Sequence, residues 1–191
     1  MRGDSPNGTR WRLVAGMALL AIACKSGGSL DTGVVLATAG FVADDRPANV
    51  ISDYVSVQTN LVDDSRIVLD LIITEVDEPI TSIAVKLTYP EEFSKFVQCI
   101  DGELFPPGVC SFAESGPGEV FVGRSVAGVA QATPAAGDQV VLRVEFLVFG
   151  VGQGPIIIEG QNLGGGDTSA VLDINGDPIF VQWFSGTILG M

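Results

Sequence analysis

Three cysteines, several closely spaced acids and no histidine set the range of chemistry open to this 191-residue chain. Without histidine there is no Ser-His-Asp or Cys-His nucleophilic centre and no His-ligated zinc. Cys99 and Cys110 bracket Ile-Asp-Gly-Glu-Leu-Phe-Pro-Pro-Gly-Val. The glycines and the Pro-Pro pair let that segment fold back, and the two thiols are predicted to form a disulfide. Closing so short a loop stabilises by about 2–3 kcal/mol. Asp173-Ile-Asn-Gly-Asp177 opens like a calcium loop, but such a loop needs Gly at its sixth place and a bidentate acid at its twelfth. Those places hold Pro178 and Phe184. Asn175-Gly176 instead suits a tight hairpin turn, because both residues tolerate positive φ. Asp173 and Asp177 remain only a secondary calcium candidate, and no other cofactor is expected. The acidic pairs Asp63-Asp64 and Glu91-Glu92 could in principle do glycoside chemistry, yet nothing sets two carboxylates at a working separation. They read as solvated surface. Phe180, Trp183 and Phe184 read mainly as core rings, with Trp183 the aromatic to inspect for exposure. No acid–base or nucleophile arrangement is visible, so the chain is not expected to be an enzyme.

The elements that must carry these residues have a period of two. Ile67, Leu69, Leu71 and Ile73 share one face of a strand, as do Ile83, Val85, Leu87 and Tyr89. Val140, Leu142, Val144, Phe146 and Val148 form a third inward row, with Arg143 and Glu145 outward. β-Branched residues dominate these runs, which suits a pleated surface. Shorter strands are predicted at Tyr54–Thr59, Gln98–Ile100, Glu119–Gly123, Ile156–Glu159 and Ile179–Thr187. Between them fall Gly116-Pro-Gly118, Gly152-Gln-Gly154, Gly164-Gly-Gly166 and Asn175-Gly176, all turn chemistry. Hydrophobic residues make up 47% of the chain, enough for a sizeable core. Many short strands with regular turns predict an all-β, antiparallel sandwich or barrel. The net charge of −13 argues against nucleic acid and against anionic lipid surfaces.

The first residues are an address. Arg2, Arg10 and Arg12 precede the apolar run Leu13–Ala23, and small residues follow, the order of a secretory signal. The run is well short of the roughly 20 residues a spanning helix needs. Arg2-Gly3-Asp4-Ser5 lies inside the segment expected to be removed and is assigned no role. Ala21-Ile-Ala-Cys24 resembles the bacterial lipobox, with Ala where Leu is usual. The resemblance implies cleavage before Cys24 and lipidation of that residue, whose several acyl chains give stable anchoring. Lys25 in the next place implies sorting to the outer membrane or cell surface. The expected domains are thus a lipoprotein signal peptide at 1–23, a tether at 24–50 and a β-domain at 51–191. Within the tether, the apolar stretch from Val34 to Val42 is expected to pack in part.

Laid end to end, residues 54–190 resemble a cohesin-type domain of the carbohydrate-binding-module superfamily. The likeness lies in Tyr54-Val-Ser-Val-Gln, the long strand Arg66–Glu75, and Ile83-Ala-Val-Lys-Leu-Thr-Tyr89-Pro90. It continues through Gly116-Pro-Gly-Glu-Val-Phe-Val122, Gly137-Asp138 before Val140–Val148, and Asp173–Ile179 leading to Gly186-Thr-Ile-Leu189. The family tends to carry an Asp between the Tyr and the Pro, and here it is absent. The resemblance implies a jelly-roll sandwich of about nine strands. It also implies a non-catalytic, exported binding module that engages a dockerin-like protein partner through one sheet face. Lys86, Thr88 and Phe121 are the candidate positions on that face, with Trp183 as a further candidate. A polysaccharide ligand is the alternative the superfamily implies, and a passive envelope role is a third.

Overall fold

A computed structural model describes residues 37–160 and 168–191. The signal segment 1–23, Cys24, residues 25–36 and the Gly164–Gly166 turn lie outside the described residues.

Among the described residues, thirteen strands follow in chain order. They are β1 (Ala39–Ala43), β2 (Tyr54–Asp63), β3 (Arg66–Ile80), β4 (Ser82–Thr88), β5 (Ser94–Asp101), β6 (Ser111–Gly116) and β7 (Glu119–Ser125). After a single 3-10 turn (Val129–Gln131) come β8 (Thr133–Val148), β9 (Gly152–Ile158), β10 (Ala170–Leu172), β11 (Pro178–Ile179), β12 (Gln182–Phe184) and β13 (Gly186–Gly190). They form two sheets packed as a jelly-roll sandwich. The eight-stranded sheet runs β1-β13-β9-β4-β10-β11, with β7 on the other edge of β4 and β6 outside β7. The five-stranded sheet runs β12-β2-β3-β8-β5.

The alternation places the core as expected along β3 and β4. Ile67, Leu69, Leu71 and Ile73 are fully buried, as are Ile83, Val85 and Leu87. Phe146 is the largest of the fully buried side chains. It meets Tyr89 and Phe96 edge-to-face, with centroids 5.3 and 5.9 Å away, a favourable aromatic geometry.

Five features differ from the sequence reading, each for an identifiable reason. The segment expected to be tether enters the eight-stranded sheet at β1, which pairs with β13 from Ala39↔Gly190 to Ala43↔Gly186. Ala37 and Ala39 are buried there, so the domain begins before residue 51. The pairing of β12 with β2 is parallel, whereas every other pair is antiparallel. The run Ile179–Thr187 is three short strands, because the chain passes from the eight-stranded sheet (β11) to the five-stranded sheet (β12) and back (β13). The strand count exceeds nine through such short pieces and through β6, an exposed edge strand without alternation. Finally, β8 carries a bulge. The register along β3 jumps from Leu71↔Leu142 to Ile72↔Val140. One extra residue shifts side-chain parity, so Val141 is buried and Val140 is left half-buried.

Cys99 on β5 and Cys110 just before β6 are joined, with Cα atoms 5.7 Å apart. Because β5 and β6 are the edges of different sheets, the bridge ties the two layers together at one open side. Leu104 and Phe105 of the bridged segment are buried in the core. Arg124 of β7 lies 3.0 Å from Asp101 and donates to the Pro106 carbonyl at 2.8 Å, fixing the segment's outer side.

Candidate functional site

The two outer faces of the sandwich differ in chemistry. On the five-stranded sheet, outward residues from neighbouring strands satisfy one another. Arg66 pairs with Glu145 at 2.7 Å, and Gln98 donates to the same carboxylate at 2.5 Å. Arg143 meets Asp70 at 3.1 Å and Glu103 at 2.6 Å. The hydrogen bond to Glu103 raises the Arg143 pKa above its ordinary value, against the opposing pull of desolvation and with help from Asp70. Glu145, read from the sequence as an outward residue, is almost fully buried beneath these partners. Leu61 and Ile100 are exposed in the same outward rows, beside these ion pairs.

The outer face of the eight-stranded sheet has one charged cluster, centred on Lys86. Register places Val42 of β1, Thr187 of β13 and Pro155 of β9 in one row. A second row holds Ile157, Thr88 and Glu119. A third holds Lys86 opposite Phe121, with Ala113 of β6 beyond it. Ala84, Gly123 and Ser111 form a fourth. Val42 and Ile157 are 58% and 42% exposed, and Ala84, Ala113 and Pro155 are exposed as well. The small residues of the fourth row leave a shallow hollow of about 270 Å³ that reaches Leu172 and Val109.

Lys86 sits in the middle of this face with its side chain 13% exposed. Its Nζ lies 3.2 Å from Glu159 and 3.6 Å from Glu119, and 5.9 Å from the Phe121 ring centroid. Thr88 donates to Glu159 at 3.3 Å. Backbone geometry explains the placement. β9 and β10 both pair with the same edge of β4, one at Leu87–Thr88 and the other at Ser82–Ala84. In the gap between them the Lys86 carbonyl accepts from the Glu159 N–H, and the Lys86 N–H donates to the buried Ser169 hydroxyl, both at 3.0 Å. The segment leaving β9 and the segment entering β10 therefore fix the Lys86–Glu159 pair on β4.

One end of the face is acidic. A cleft of about 590 Å³ opens between the turn after β4 and the β6–β7 turn, lined by Tyr89, Glu91, Lys95, Glu114, Phe149 and the Gly116–Gly118 segment. Gly118 has φ +67, and a Cβ there would fall 2.6 Å from the Tyr89 carbonyl oxygen, so glycine is what lets this turn close. Burial raises the Tyr89 pKa; a hydrogen bond with the Phe96 backbone opposes this, while the charges of Glu114 and Glu91 add to it.

The structure thus brings Lys86, Thr88 and Phe121 onto one surface and leaves Trp183 elsewhere. Trp183 lies on β12 in the five-stranded sheet, half-buried against the core. Its indole N–H is buried and has no hydrogen-bond partner among the described residues. Phe180, at 69% exposed, is the open ring of that region, while Phe184 packs edge-to-face on Tyr54. Asp63, Asp64, Glu91 and Glu92 are exposed, and Asp64 occupies the left-handed region of the β2–β3 turn. Asp173 closes its own turn. Its Oδ1 accepts the N–H of Asn175 and of Asp177, and its Oδ2 accepts the Asn175 side chain. Desolvation acts to raise the Asp173 pKa, but these hydrogen bonds outweigh it and the net direction is down. Among the described residues, no three acids, cysteines or histidines converge as a metal-binding group. Ile157, Pro155, Val42 and the two carboxylates of the face escaped the sequence reading, because only the strand order shows that they are neighbours. Glu119 alone carried a local signal, sharing strand parity with Phe121.

No family model matches the sequence, and no curated protein matches it. Solved structures do match. One is the sixth cohesin of scaffoldin B from Acetivibrio cellulolyticus, in complex with a Cel5 dockerin variant; it has a TM-score of 0.58 and 14% identity, over 71% of this chain and 96% of that one. Another is the second type II cohesin module of the adaptor scaffoldin ScaA from the same organism, at TM-score 0.52 and 14% identity, over 77% and 85%. A third is a non-cellulosomal cohesin from the hyperthermophilic archaeon Archaeoglobus fulgidus, at TM-score 0.50 and 18% identity, over 79% and 89%. Two sheets in jelly-roll order, matched along most of each module at low identity, give this chain a cohesin-like fold.

Proposed function

We propose that this protein is a non-catalytic binding module that engages a dockerin-like protein partner through the outer face of the eight-stranded sheet. The observation that carries the reading is the contrast between the two faces. The five-stranded sheet is occupied by its own ion pairs. The other face presents Val42, Pro155, Ile157, Ala84 and Ala113 around a single fixed Lys86. An exposed apolar surface rimmed by charge is the usual signature of a protein-binding site. The neighbour from scaffoldin B is described in complex with a dockerin, and that supplies the class of partner. A row of exposed aromatics, which a polysaccharide platform would need, finds no support in the half-buried Trp183.

We further propose that the chain is exported and lipid-anchored at Cys24, on the bacterial outer membrane or cell surface. The motif before Cys24 supports this, and so does the Cys99–Cys110 bridge, since disulfides persist in oxidising compartments.

The test is biolayer interferometry of the exported form against a panel of isolated dockerin domains, with insoluble polysaccharides run in parallel. Sub-micromolar binding of a dockerin, lost on Ala84→Arg, is the expected outcome. Retention on a glycan with no dockerin bound would overturn the reading.

A further inference from the structure

The charges around the docking face say what kind of partner it takes. Resting on the function proposed above, we infer that this partner is a basic protein, whose apolar contact surface is flanked by lysines or arginines that meet Glu119, Glu159 and the acidic end of the face.

Charge complementarity carries the argument. At the centre, one cation is held between two carboxylates, and the side chains of Glu119 and Glu159 are each still 37% exposed. The cluster is net negative, and its carboxylates keep surface open to a second cation. Beyond it lie exposed Glu91, Glu92 and Glu114, two of them lining the cleft beside Tyr89 and Phe149. Of the other described cations, Lys95 lines the same cleft, where the carboxylates outnumber it, and the arginines are each engaged by a partner, Arg124 at the border of the hollow beside Ala84. Arg66 and Arg143 are held by carboxylates of the five-stranded sheet. Arg124 pairs with Asp101 of the bridged segment, and Arg46 lies 4.5 Å over the Tyr54 ring. With a net charge of −13 behind it, the face projects a negative potential. Complementary charge steers encounter and raises association rates, while like charge rejects wrong partners. An acidic partner meets repulsion at Glu119, Glu159 and Glu114 together. A basic one adds ion pairs at the rim of an apolar contact, where charges mainly govern on-rate and specificity.

The experiment measures association rates of the full chain with isolated dockerin domains chosen to span acidic to basic isoelectric points, at 50 and 300 mM NaCl. Three forms are compared: wild type, the double variant Glu119→Gln/Glu159→Gln, and a control, Asp77→Asn/Glu78→Gln, that removes equal charge from an exposed end of β3. Circular dichroism verifies that each form is folded. The expected result is that the dockerins that bind are the basic ones and that the wild-type association rate falls about tenfold between the two salt concentrations. The double variant should associate several-fold more slowly at 50 mM, with the control unchanged. Tight binding of an acidic dockerin, or a rate indifferent to salt, would overturn this inference while leaving the proposed function standing. Binding to no dockerin at all would overturn the proposed function and this inference with it.

Discussion

Replacing both bridge cysteines, Cys99→Ala with Cys110→Ala, removes a covalent tie between the edges of two sheets. The bridge spans 11 positions of sequence. In the chain-entropy treatment, a closed loop of that size restricts the unfolded chain by about 3 kcal/mol at 25 °C. For a domain of this size, each kcal/mol moves the melting midpoint by roughly 2–4 °C. The variant should therefore melt about 6–12 °C lower. Reduction of the wild type should give a similar shift without changing any side-chain volume. Differential scanning calorimetry of both forms, with guanidinium unfolding as a second measure, checks this. The bridged segment is also held by buried Leu104 and Phe105, by Arg124, and by backbone N–H groups of Gly102, Glu103 and Leu104 that donate to the Val140 and Val141 carbonyls. If those contacts persist in the unfolded ensemble, opening the bridge gains little entropy. A shift below about 2 °C in both the variant and the reduced wild type would refute the entropic account and assign the tie between sheets to packing.

Phe146→Ala removes the largest fully buried ring and its edge contacts with Tyr89 and Phe96; it should cost about 3–5 kcal/mol in urea unfolding. Tyr89 has a folded pKa raised above the ordinary value near 10. Its contribution is therefore complete below pH ~10 and is lost as pH climbs toward the folded pKa. Denaturant midpoints measured from pH 8 upward should fall in this range, and Tyr89→Phe should flatten that part of the profile. Metabolic labelling with a fatty acid should mark the wild type, and Cys24→Ser should abolish the mark; labelling that survives the substitution would contradict the proposed anchor.

What the sequence made legible was the part governed by local alternation. The inward rows on β3 and β4 follow directly from a period of two, because one face of each strand is packed and the other is not. The disulfide was legible because two cysteines bracket a short Gly- and Pro-rich segment. What escaped depends on distant parts of the chain. β1 sits in a region that reads as linker, and it becomes a strand only because β13 offers it an edge. The run after Pro178 alternates well enough to look continuous, yet it changes sheets twice, which no local pattern encodes. The bulge at Val141 moves a residue from the outer to the inner face for the same reason: register is a property of the pair of strands, not of one. The candidate face was partly legible. Lys86, Thr88 and Phe121 lie on two strands that turned out to be neighbours. Ile157, Pro155 and Val42 come from strands far away in sequence and join them only through the strand order. Trp183, read mainly as a core ring and only as a further candidate for the face, lies on the other sheet, half-buried against the core.

The central claim is that the outer face of the eight-stranded sheet is where a protein partner docks. An amide chemical-shift titration of the labelled protein with a dockerin that binds it tests this most directly. The account predicts that perturbations concentrate at Ala84, Lys86, Thr88, Phe121 and Ile157, with Asp70, Arg143 and Glu145 unmoved. Perturbations centred on the five-stranded sheet, or on the edge that carries Trp183, would contradict it.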